Sequence, residues 1–117
     1  MANPMGVRAV EQINLPSADS TAYAASKVAK ASGGILFGLT GYNSGPAQWI
    51  QIYDAAALPA NGAVPKIIFK VEADTNFSYD TGSIGLQMDT GIVVGNSTTG
   101  PTKTIGAADC WFNVFYK

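Results

Sequence analysis

Histidine is absent from this chain, cysteine occurs once, and Asp, Glu, Lys and Arg together make up 13% of its 117 residues. Each shortage excludes something. Without histidine, and with Cys110 alone, the usual Cys and His ligand sets of zinc cannot be assembled. The abundant Ser and Thr hydroxyls likewise lack a base that would turn one into a nucleophile. A single cysteine forbids an internal disulfide, and it lies in the apolar run CWFNVFY, where a thiol packs as a small hydrophobe. Seven cations against eight anions, with no cluster of Lys or Arg, leave no basic stripe to displace counterions from phosphate. Nucleic acid is therefore not an expected partner. The longest apolar runs, such as residues 33–39, fall far short of the roughly 20 residues that cross a bilayer. The opening MANPMGVRAVEQ has no apolar core of signal-peptide length and carries Glu11. The expectation is a protein with no membrane partner, made and kept in a cytoplasm or released by lysis. A freely diffusing domain spends about a quarter of its residues on charge. Either partners cover much of this surface, or Ser, Thr, Asn and Gln supply its polarity.

What the chain does contain is punctuation. Residues 1–20 read as an arm: Pro4, Gly6 and Pro16 break any regular element, while Met5, Val7, Val10, Ile13 and Leu15 are apolar without a period. Such a segment has no core of its own, and its five apolar side chains favour docking on a partner. Residues 21–117 read as one domain, large enough to hold a core without staples. Within it, TAYAASKVAKAS (21–32) fits a helix capped by Asp19 or Ser20 or else a strand; the small face of Ala24, Val28 and Ala31 favours the strand. Residues 34–42 alternate, with Ile35, Phe37 and Leu39 on one face and Leu36 and Thr40 on the other. Residues 47–53 put Ile50 and Ile52 opposite Trp49 and Tyr53. Residues 66–72 give the clearest strand, with Ile67, Phe69 and Val71 inward. One or two short strands are expected around Phe77 and Tyr79. Residues 91–96 and 109–117 complete the set, the last with Cys110, Phe112, Val114 and Tyr116 on one face. Six to eight short strands separated by turn residues specify an all-β fold, a two-sheet antiparallel sandwich of jelly-roll or immunoglobulin type behind the N-terminal arm.

Motifs that would carry chemistry fail on spacing. Gly95, Gly100, Lys103 and Thr104 lack the contiguity of a phosphate loop, because Pro101 and Thr102 intervene and no helix follows. Asp54, Asp74, Asp80 and Asp89 sit in turns and never at the alternate spacing of a calcium loop. No catalytic residue, cofactor site or metal site is expected. Trp49, Tyr53 and Trp111 are the candidates for a sugar-stacking platform or a subunit interface, with Gln48, Gln51 and Asn113 as polar neighbours.

Two strings, QIYDAAALPANGAVPKIIF (51–69) and TGIVVGNSTTGPTKTIGAADCWFNVFY (90–116), resemble small proteins common in the genomes of tailed bacteriophages. The resemblance runs from about Lys27 to the C-terminus. It implies a non-enzymatic virion protein, assembled in the host bacterial cytoplasm, that decorates or cements a capsid. Its expected partners are the major capsid protein or another virion protein and further copies of itself, a trimer being the natural guess at threefold positions of a shell. The alternative it leaves open is the base or adhesion module of a head spike or tail fibre that binds host surface glycans.

Overall fold

Short runs of β-branched and aromatic residues between Gly, Pro, Asn and Asp turns become nine strands in a computed structural model that describes residues 15–117. They are β1 (Ser17–Asp19), β2 (Ser26–Lys30), β3 (Gly34–Asn43), β4 (Gln48–Tyr53), β5 (Ile67–Val71), β6 (Thr75–Asp80), β7 (Leu86–Met88), β8 (Ile92–Ser97) and β9 (Cys110–Tyr116). The first sheet has the order β1-β9-β3-β6, with β7 pairing the start of β3; the second has the order β2-β8-β4-β5. Every pairing is antiparallel. The pairs β1 with β9, β2 with β8, β3 with β6 and β4 with β5 nest inside one another, as in a long hairpin rolled about an axis. That nesting is the jelly-roll form of the sandwich.

The inner faces meet in one core. Leu36, Leu39, Ile50, Ile52, Met88, Ile92, Val94, Cys110, Phe112 and Val114 are sealed from solvent, with Val71 and Phe77 beside them. Phe77 tilts against Phe112 and Phe69 at 6.1 Å, and Phe69 stacks on Tyr79 at 5.7 Å. The alternation read for β5 and β9 holds: Ile67, Phe69 and Val71 face inward, as do Cys110, Phe112 and Val114, with Tyr116 packed against them. Residues 26–30 are a strand, and Ala24 bridges Cys110 just before it. Pairing with β8 supplies what a helix with so small an apolar stripe could not.

Two expectations need correction. In β3 a bulge between Leu36 and Gly38, opposite β9, inserts one residue into the ladder. Leu36 and Leu39 therefore both reach the core, while Ile35 and Phe37 are only half-buried. A strict period of two had assigned Ile35, Phe37 and Leu39 to a common face. The sheet also begins inside the stretch read as an arm. Ser17, Ala18 and Asp19 pair with Phe115, Val114 and Asn113. The Tyr116 amide donates to the Pro16 carbonyl at 3.2 Å, and the Phe112 amide to Ser20 Oγ at 3.1 Å. Pro16 still offers a carbonyl although it has no amide to give. Of the arm's apolar residues, Leu15 is half-buried at the start of the sheet; Met5, Val7, Val10 and Ile13 lie outside the described residues.

Candidate functional site

The outer face of the second sheet is closed by the chain itself. Gln51 and Tyr53 point away from the core on β4, yet they are 0% and 3% exposed. The Thr-rich loop after β8 folds back as a strap over them: Gln51 Nε2 donates to the Gly100 carbonyl at 2.7 Å and to that of Thr99 at 3.1 Å. The Tyr53 hydroxyl donates to Gln51 Oε1, and burial pushes the Tyr53 phenol up to about 12. Lys103, in the strap and 4% exposed, donates from Nζ to Asn61 Oδ1 at 2.7 Å. The backbones of the strap and of the β4–β5 loop also pair: the Gly62 amide donates to Lys103 O, and the Lys103 amide to Ala63 O, both at 2.8 Å. Gly100 lies so close to the Trp49 ring that a Cβ there would stand 3.1 Å from Cε2. The glycine and lysine that faintly suggest a phosphate loop are thus a clasp, with Lys103 committed to Asn61.

At one end of the sandwich, polar side chains join the two sheets inside the core. Asn43 Oδ1 accepts from Gln48 Nε2 at 2.8 Å and from the Gly45 amide at 3.0 Å. Asn43 Nδ2 donates to the Pro46 and Glu72 carbonyls at 2.8 and 3.0 Å. Gln48 Oε1 in turn accepts from Asn96 Nδ2 at 2.8 Å, which also reaches Ala107 O at 2.9 Å. The Cys110 thiol donates to Asn43 Oδ1 at 3.5 Å. Burial, reinforced by the Asp109 carboxylate, pushes that thiol up to about 12, so it stays protonated and is no nucleophile. Reading the chain for surface polarity missed this row. Its signal was parity: Gln48 shares a face with Ile50 and Ile52, and Asn96 with Ile92 and Val94.

The aspartates hold turns. Asp54 Oδ1 accepts from the Thr90 amide at 2.7 Å and the Gly91 amide at 3.2 Å, and Oδ2 from the Asp89 amide at 3.0 Å; Lys66 Nζ stands 3.9 Å away. These donors, the Thr90 amide foremost, hold the Asp54 carboxyl below its ordinary value against a partial desolvation. Asp80 caps the Gly82 amide at 2.8 Å, Asp89 accepts from Gln87 Nε2 at 3.2 Å, and Asp74 takes a left-handed backbone, φ 51°. Among the described residues no three of His, Cys, Asp and Glu come together as metal ligands.

The outer face of the first sheet is different. Register places Trp111, Tyr42 and Asn76 in one row, Asp19, Asn113, Thr40 and Ser78 in the next, and Ser17, Phe115, Gly38 and Asp80 in a third. Trp111 and Tyr42 are half-buried, and Phe115 is 37% exposed. Shallow depressions flank Trp111, one lined by Thr40, Asn76 and Ser78, the other by Ser20, Thr21 and Tyr23. The sequence candidates are therefore divided. Trp49 and Tyr53 lie on the second sheet under the strap, Gln48 and Gln51 are buried and satisfied, and only Trp111, with Asn113 beside it, stands on the first sheet. They form no common platform.

The chain matches no protein-family model and no curated protein. Among solved structures it is similar to the coat protein of Tobacco streak virus, at 14% identity over 86% of this chain and 83% of that one, with a TM-score of 0.40.

Proposed function

We propose that this protein is a non-enzymatic virion structural protein of a tailed bacteriophage, binding the capsid exterior as a decoration or cement protein. One observation carries the reading: the polar groups that could have done chemistry are spent on holding the fold, while a nearly uncharged, aromatic-bearing sheet face is left outward. A face of that kind binds macromolecules and does not turn over substrates. The resemblance of residues 51–69 and 90–116 to small phage proteins supports the same reading. So, by analogy alone, does the jelly roll, an architecture that viral capsid and lectin domains share. The arm, with Met5, Val7, Val10 and Ile13, would lie along the shell or a neighbouring subunit as it leaves the edge of the first sheet. Repeated on every shell subunit, contacts that are individually weak would add up to a firm coat.

The test is rebinding. Purified protein mixed with particles lacking it should sediment with them to saturation; failure to bind such particles would remove the decoration reading.

The second reading, glycan adhesion, now rests on Trp111, because it lines two shallow depressions, one with Thr40, Asn76 and Ser78 and the other with Ser20, Thr21 and Tyr23. Under it, Trp111→Ala abolishes attachment to host cells while Trp49→Ala does not. Attachment unchanged by Trp111→Ala removes this alternative.

A further inference from the structure

We propose that the outer face of the first sheet is where a second copy of this chain docks, so that the protein self-associates through β9, β3 and β6. The inference rests on the virion role proposed above and deepens the expected association with further copies of the chain. It is tested in solution, without particles, so it fails or stands separately from the capsid reading.

Charge makes the first argument. Of the six lysines among the described residues, Lys27 and Lys30 belong to β2, Lys66 and Lys70 to β5 and its approach, and Lys103 to the strap. Lys117 stands just past the end of β9, and Asp19 and Asp80 lie on the two edge strands. The middle of the face, held by Trp111, Tyr42, Asn113, Thr40 and Phe115, carries no charge at all. An uncharged centre with ionic residues confined to the margin is the anatomy of a protein interface. It also suits a copy of itself: residues on a two-fold axis meet their own copies, and a neutral centre buries no equal charges against each other there.

Shape and size make the second. Beyond the bulge the face continues through half-buried Ile35 and Phe37 to the β6–β7 turn, which packs against them at Gly85. Gly82 and Gly85, with φ of 84° and 82°, allow that turn to present Ile84, which is 88% exposed. An isoleucine so placed contributes nothing to its own core and is shaped to enter a neighbour. The face is four strands wide and up to ten residues long. Its strands β1, β9, β3 and β6 hold 3, 7, 10 and 6 residues, so at ~4.8 Å between strands and ~3.3 Å per residue they cover roughly 400 Å² in projection. Side chains raise the accessible area above the projection, towards the ~800 Å² per partner that a stable interface buries. On the second sheet the strap covers the centre, and the exposed Val28 and Ile68 stand apart on its edge strands β2 and β5, beside the sheet's lysines.

The test is analytical ultracentrifugation of the full chain at micromolar concentration, alongside Ile84→Asp, Phe115→Asp and, on the opposite sheet, Lys70→Glu. The wild type and Lys70→Glu should form the same closed oligomer, while both Asp variants weaken association by about tenfold or more. Far-UV circular dichroism and thermal melting confirm that each variant is folded; Ile84→Asp, at a fully exposed position, serves if Phe115→Asp is not. A wild type that stays monomeric overturns the proposal. So does an oligomer that neither Asp variant disturbs, or a monomer that binds neutral glycans through Trp111.

Discussion

Replacing Gln51 with leucine should detach the strap without unfolding the sandwich. The side chain keeps nearly its volume, but the Gly100 and Thr99 carbonyls lose their donor and the Tyr53 hydroxyl, buried at 3% exposure, loses its acceptor. Two lost hydrogen bonds cost about 1 kcal/mol each, and an orphaned buried hydroxyl costs about 1–3 kcal/mol more. Burying leucine in place of an amide returns about 1 kcal/mol. The expected net is a loss of about 2–4 kcal/mol, a large share of the roughly 5–15 kcal/mol that separates folded from unfolded chains. Urea titration should show a lower midpoint at unchanged slope. Hydrogen exchange at the Gly62 and Lys103 amides, which pair the strap to the β4–β5 loop, should speed up while the β9 amides stay protected. Adding Tyr53→Phe should recover part of the loss, because the orphaned hydroxyl goes with it. A Gln51→Leu variant within about 0.5 kcal/mol of wild type, with unaltered exchange, would refute the strap as a structural clasp.

Three further outcomes follow from the same contacts. Asp54 has a folded pKa held below its unfolded value, so its contribution is fully present above the unfolded value and is lost as pH falls through the folded one. Asp54→Asn should therefore flatten the acid limb of a stability–pH curve, and an unchanged acid limb would contradict the assignment. Removing residues 1–20 strips β1 from β9 and should lower the melting temperature below that of a variant lacking residues 1–14; equal melting of the two would show that β1 adds nothing. Cys110, its thiol pushed up to about 12 inside the core, should resist alkylation near pH 8 until the chain is denatured, and rapid labelling of the native protein would mean the core opens there.

The parts of the fold legible in the sequence are those where one face is buried and the period is uninterrupted. β5 and β9 satisfy that condition, with Ile67, Phe69 and Val71 in one and Cys110, Phe112 and Val114 in the other. β3 does not, because its bulge is set by the partner strand β9 and leaves no mark in its own alternation. β1 is three residues long, too short to carry a period, and follows a proline. The burial of Gln51 and Tyr53 was hidden for a different reason: the strap carbonyls that bind Gln51 lie 48 and 49 residues away in sequence, and local pattern cannot register a tertiary lid. The aromatic candidates separated because β4 and β9 belong to different sheets, a placement that no local pattern records. Trp49 and Tyr53 share a strand and a face, with Gly100 of the strap against Trp49 and the Tyr53 hydroxyl bonded to Gln51, while Trp111 acquires Tyr42 as its neighbour through pairing of β3 with β9. The Asn43, Gln48 and Asn96 row was overlooked although parity marks it, since polar residues at inward positions of a strand must find partners inside.

The measurement that bears most directly on the proposed role is the copy number of this protein relative to the major capsid protein in purified particles, by quantitative mass spectrometry. A decoration protein should appear at one copy, or one per few shell subunits. A handful of copies per particle would instead indicate a spike or fibre, and complete absence from particles would contradict a virion role.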